Sequence, residues 1–157
     1  MRITCTLICL CLLIAAVPAV FGQAVAEAGA VPPPATLVGG TVSLTITITV
    51  KSTALTNFTC SADVLVQEAT ATGALDFQES DTVVATGTGT TRTCKLSIPY
   101  SWSLATPTTD SMMTSYTVLG STGTNGLPQR TSARTPLDNR KVPANGTTTT
   151  LTASVTQ

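Results

Sequence analysis

The chain has 157 residues, of which 43% are hydrophobic, 4% aromatic and only 10% charged, with 8 basic against 8 acidic side chains and no histidine. A formal net charge of +0 offers a nucleic acid no electrostatic footprint, and without histidine the Ser/His/Asp and Cys/His arrangements of nucleophilic catalysis are closed. Threonine makes up roughly a fifth of the chain, a bias toward pleated surfaces on which β-branched side chains pack well.

At the N-terminus, Arg2 and the apolar run from Leu7 to Val17 have the form of a secretory signal peptide, and Val20-Phe21-Gly22 precede a plausible cut before Gln23. Residues 1–22 are therefore expected to leave on export, and the chain is expected outside the cell, or in the periplasm or at the cell surface of a bacterium. The run is shorter than the roughly 20 residues a spanning helix needs, so no membrane span is expected after processing. Cys5, Cys9 and Cys11 go with the leader, and none follows the small residue that precedes a lipid-modified cysteine. Cys60 and Cys94 remain, and an even pair in an oxidising compartment reads as one disulfide. Two sulfurs without histidine supply at most half a tetrahedral zinc site, so no cofactor is expected.

Residues 23–38, with Pro32-Pro33-Pro34, read as a Pro/Ala-rich leader or linker, and 39–157 as a single domain. After Gly39-Gly40, the stretch Thr41 to Val50 alternates Val42, Leu44, Ile46, Ile48 and Val50 with small hydroxyls, the signature of a half-buried strand. Phe58 to Gln67 repeats the pattern, with Cys60 on the apolar side. Leu75 to Phe77 reads as a short edge strand and Asp81 to Thr86 as a better one, followed by a glycine-containing turn. Thr93 to Leu104 is strictly divided, with Cys94, Leu96, Ile98, Tyr100, Trp102 and Leu104 on one face. Pro99 cannot donate to a ladder, which implies an edge position or a bulge. Met113 to Leu119 is the next strand. Residues 120–146 are rich in turn chemistry, but so long an unstructured connection is uncommon, and a short strand is expected near Gln129 to Ala133. Thr148 to Val155 closes the series.

Six to eight strands and no helical periodicity describe an all-β fold, a two-sheet antiparallel β-sandwich of immunoglobulin-like or pilin-like kind with one disulfide. Both cysteines lie near the starts of their strands. Antiparallel neighbours bring a start to an end, so the bridge is expected to span the two sheets rather than a hairpin.

Chemistry-bearing groups are few. Asp76, Glu79 and Asp81 form an acidic cluster that could hold calcium, with a solvated acidic loop as the alternative. Arg130, Arg134, Arg140 and Lys141 concentrate positive charge that could meet a polyanionic glycan, or simply keep a loop soluble. Asn57-Phe-Thr59 and Asn145-Gly-Thr147 match the N-glycosylation acceptor pattern. Tyr100 and Trp102 bring large rings that serve either as core anchors or as a binding platform.

Thr41 to Val50 carries no charge, proline or bulge that would protect an exposed edge. From Gly39-Gly40-Thr41-Val42 through Cys60 the chain resembles fimbrial pilins, although its C-terminus lacks their near-terminal tyrosine pattern. The resemblance implies an N-terminal strand that completes the sheet of the next subunit. Two functions follow as expectations: a secreted, non-enzymatic β-sandwich acting as a structural or surface-binding module toward a protein or glycan, and a self-assembling subunit that polymerises by strand addition through residues 41–50.

Overall fold

The computed structural model describes residues 34–70, 73–122, 128–131 and 134–157. The signal peptide expected over 1–22 and the first part of the 23–38 leader lie outside them. The described residues form eight strands: β1 (Thr36–Thr49), β2 (Asn57–Thr70), β3 (Gly73–Val84), β4 (Thr91–Leu104), β5 (Ser111–Ser121), β6 (Pro128–Thr131), β7 (Thr135–Lys141) and β8 (Thr147–Thr156). A three-stranded sheet has the order β4-β1-β8, and a five-stranded sheet the order β3-β2-β5-β6, with β7 also on β5. The all-β, sandwich-like fold expected from the alternation is the fold observed.

Parity explains the core. On β1 Val42, Leu44, Ile46 and Ile48 are fully buried, on β2 Cys60, Val64 and Val66, and on β4 Cys94, Ile98 and Leu104. Each such aliphatic side chain contributes about 1.5–3 kcal/mol by leaving water. Cys60 of β2 and Cys94 of β4 are bonded, with Cα atoms 6.2 Å apart. Their strands belong to different sheets, so the bridge staples the two layers together.

Several expectations need correction. β1 starts at Thr36, so the last residues of the expected linker are already strand. It is also no edge: it pairs with β4 antiparallel along its whole length and with β8 from Gly40 to Thr49. Strand addition through residues 41–50 would therefore have to break two ladders. The β1–β8 pairing is parallel, the exception to an otherwise antiparallel fold. Its direction is set where β8 begins. Gly146 adopts φ 80° and donates its N–H to the Gly39 carbonyl at 2.7 Å, while the Gly39 N–H donates to Asn145 Oδ1 at 2.8 Å, so the chain enters β8 beside the early part of β1.

The two strands expected at Leu75 to Phe77 and Asp81 to Thr86 are one edge strand, β3, paired with β2 without a register shift. The 120–146 connection holds two short strands rather than one, both on β5. Pro99 lies opposite Thr41 in an unbroken register. Its tolerance comes from the edge position of β4, with no bulge. Opposite Gly40 lies Tyr100, whose ring covers β1 where a side chain is missing. A Cβ at Gly40 would stand 2.4 Å from the Thr147 carbonyl oxygen and 2.7 Å from the Tyr100 hydroxyl.

Candidate binding groove

The outer face of the five-stranded sheet carries a groove of about 540 Å³ over β2, β5 and β7. Its floor follows from strand pairing: Asp63 lies opposite Ser115, and Leu65 opposite Met113. On β2 and β5 the inward set, including Val64 and Thr114, is buried, so these four residues belong to the solvent face. A bulge at Leu137 interrupts β7, where Thr114 faces Asp138 and Ser115 faces Pro136. Bulges re-aim side chains, and this one turns the 136–139 stretch into the wall of the groove.

At one end stands a polar cycle. The Ser115 hydroxyl donates to Asp63 Oδ2 at 2.9 Å, Arg134 Nε donates to Ser115 Oγ at 2.7 Å, and the Arg134 guanidinium pairs with the same Asp63 oxygen. The serine hydroxyl donates to a carboxylate that is itself paired with a permanently charged guanidinium, so the three groups fix one another's geometry. The Arg134 side chain is 58% exposed and Asp63 18%, and a pair this open contributes at most about 1 kcal/mol to stability. Beside the cycle, Met113 remains 41% exposed. The groove therefore joins an apolar strip, Leu65, Met113 and Leu137, to one fixed, electrically balanced polar corner. Among the described residues no aromatic ring lines it.

Tyr100 and Trp102 are not surface groups. Each is 4% exposed, and their rings stack at 4.7 Å with a 28° interplanar angle, with Phe77 at 6.5 Å from Trp102. Their inward parity prevails because β4 runs without a bulge. Burial raises the Tyr100 hydroxyl above its ordinary titration range. The hydroxyl and Trp102 Nε1 are buried without a hydrogen-bond partner among the described residues.

The acidic trio does not converge. Along β3, Glu79 faces Val64 and Asp81 faces Ala62, both buried, whereas Asp76 faces Gln67 on the opposite side of the pleat. Asp76 accepts from Gln67 Nε2 at 3.0 Å. Asp81 is engaged at both oxygens, by the N–H of Thr82 at 2.8 Å and of Ser97 at 2.9 Å. Its role is to cap the free edge of β4 from the other sheet. Among the described residues no three His, Cys, Asp or Glu side chains are grouped to hold a metal ion.

The basic residues are also dispersed. Arg134 serves the polar cycle, Arg140 pairs with Asp138, and Lys141 is exposed at the end of β7. Arg130 lies on β6 opposite Gly120. Both sequon asparagines are exposed. Asn57 opens β2. Asn145 uses Oδ1 to hold the Gly39 N–H, which leaves the amide nitrogen, the atom that carries a glycan, outside that bond.

The strand patterns did not single out Glu68. It continues the inward parity of β2 and is 4% exposed. Its Oε1 accepts from the N–H groups of Ala105 at 2.5 Å and Thr106 at 2.9 Å, pinning the β4–β5 connection. The signal was present in the alternation from Phe58 to Val66, which places residue 68 inside. The Asp63, Ser115 and Arg134 grouping had no comparable signal, since it depends on β7 docking onto β5. No protein-family model, curated protein or solved structure matches this chain.

Proposed function

We propose that this chain is an exported, non-enzymatic β-sandwich module that binds a protein partner through the groove over β2, β5 and β7. Export is supported by the signal-like N-terminus and by the inter-sheet disulfide, a bond that persists in oxidising compartments. No helix among the described residues is long and apolar enough to cross a membrane. The observation that carries the binding reading is exposed Met113 with half-buried Leu65 opposite it, set beside a fixed Arg134–Asp63–Ser115 corner. Apolar pockets with a few fixed polar groups are the usual form of binding sites. An apolar side chain of a partner fits this strip, whereas a sugar would lack the aromatic platform its C–H face stacks on.

The test is a peptide-display selection on the oxidised protein, counter-selected against a Leu65→Glu/Met113→Lys variant. Both substitutions lie on the outer face and leave the core intact. Enrichment of peptides with an apolar anchor that lose binding to the variant is expected. Peptides bound equally by both forms, or no enrichment, would overturn the groove. Export is checked separately by a non-reducing mass measurement of protein secreted from its native source, which reports the cleavage site, the disulfide and any glycans at once.

A further inference from the structure

We infer that β8 is a docking edge for a second copy of this chain, forming a closed two-fold dimer through antiparallel β8–β8 pairing. Among the described residues the edges of β4, β3, β7 and β6 are guarded, and that of β8 is not. β4 carries Lys95 and Pro99, and Asp81 caps its Ser97 N–H. β3 bears Asp76, Glu79 and Asp81. β7 has Pro136, a bulge, Arg140 and Lys141, and β6 is 4 residues long with a proline. Charge, proline, bulges and shortness are the devices that keep edges from pairing. β8 is 10 residues long, Thr147–Thr156, with no charge and no proline. Its ladder to β1 has no register shift, and among the described residues no strand pairs with its other side.

The direction of the free groups can be worked out. Gln157 donates its N–H to the Thr49 carbonyl at 3.0 Å and accepts from the Lys51 N–H at 2.6 Å, so its main chain faces β1. Main-chain groups alternate sides along a strand. Thr148, Thr150, Thr152, Ser154 and Thr156 therefore aim their N–H and C=O groups at the open side, and all five are exposed.

A second copy satisfies this row in one register. With the two-fold axis at Thr152, Thr148 meets the second copy's Thr156, Thr150 meets its Ser154, and Thr152 meets itself. Every outward-aimed group is then bonded, two bonds per facing pair. The hydroxyls form a ladder on the outer face, a favourable cross-strand pairing. On the inner face Leu151 lies opposite the copy's Ala153, and Thr149 opposite its Val155, covering side chains that β8 leaves partly open. No like charges meet, because the strand has none. A partner rich in lysine or glutamate would gain nothing from so neutral an edge, whereas the strand is its own complement.

The test uses sedimentation of the full oxidised chain from micromolar to millimolar concentration. A monomer–dimer equilibrium is expected, with dimer formation lost in Thr152→Lys, which sets two ammonium groups face to face, and retained in Thr47→Lys, a charge on the outer face of the central strand. Circular dichroism verifies that both variants are folded. A cysteine at the axis supplies an independent readout. A short bifunctional maleimide should join Thr152→Cys copies and fail to join Thr148→Cys copies, whose sites lie roughly 27 Å apart in this register. A monomer at every concentration, open-ended oligomers, a dimer that survives Thr152→Lys, or equal cross-linking at both sites would each overturn the proposal.

Discussion

Replacing Glu68 tests the interior of the fold most sharply. Its carboxylate is almost fully buried and receives two main-chain N–H groups, from Ala105 at 2.5 Å and Thr106 at 2.9 Å. Hydrogen bonds to a charged acceptor contribute about 1.5–3 kcal/mol each, but here both converge on one oxygen and Thr106 is exposed enough to recover a water. Glu68→Ala is therefore expected to cost about 2–4 kcal/mol, which for a domain of this size lowers Tm by roughly 8–16 °C. Glu68→Gln keeps an acceptor of lower charge and should cost about half as much. Equilibrium urea unfolding followed by Trp102 fluorescence measures both, since that indole is buried beside the same end of β4. Gln67→Ala is the control, because it removes only the exposed bond to Asp76 and should change stability by less than about 0.5 kcal/mol. If Glu68→Ala is no worse than Gln67→Ala, the carboxylate does not hold the β4–β5 connection and the reasoning fails.

Reducing the Cys60–Cys94 bond, with a sequence separation of 34, should lower stability by about 4 kcal/mol in the chain-entropy treatment; urea midpoints with and without reductant measure it, and coincident midpoints would contradict the staple. Gly40→Ala should cost about 1–3 kcal/mol by overpacking, because its methyl group meets the main-chain oxygen of Thr147 at 2.4 Å, an atom that cannot swing aside as a side-chain tip can; a thermal melt within error of wild type would show that the ladder gives way freely. Burial raises the Tyr100 titration, so the folded state keeps a proton that the unfolded chain releases, and stability is fully present below about pH 10 and falls as pH rises through the folded value. Tyr100→Phe, which deletes a hydroxyl without a partner, should leave stability at pH 7 nearly unchanged and flatten the alkaline decline in unfolding free energy; an identical decline in both proteins would assign it to other groups.

What could be read in advance depended on how each segment is buried. β1, β2 and β4 each have one face in the core, so Val42 to Ile48, Phe58 to Val66 and Cys94 to Leu104 alternate clearly; parity turned both sulfurs inward, and the even count in an exported chain paired them. β7 was hidden because Thr135-Pro-Leu-Asp-Asn-Arg-Lys141 has no such rhythm. It is a strand because β5 had an open side to fill, and a bulge there breaks the period. The direction of β8 was equally hidden, since alternation is the same whichever way a strand runs. The polar corner of the groove joins residues 71 positions apart in the chain, and nothing local marks Asp63 as the partner of Arg134. Asp81 shows the converse case, where a visible acidic cluster was dispersed by the pleat and put to work on the main chain.

The three-stranded sheet contains no two strands that follow one another in the chain. β1 must wait for β4 and then for β8, so it cannot form a hairpin while the chain is being made, and folding should be slow for a domain of this length. Until the last strand arrives, the uncharged stretch from Thr41 to Thr49 has one side bare, which makes a shortened or stalled chain adhesive where the finished protein is closed. A polypeptide built this way benefits from a bond between Cys60 and Cys94 that can hold its two layers together while the final strand docks.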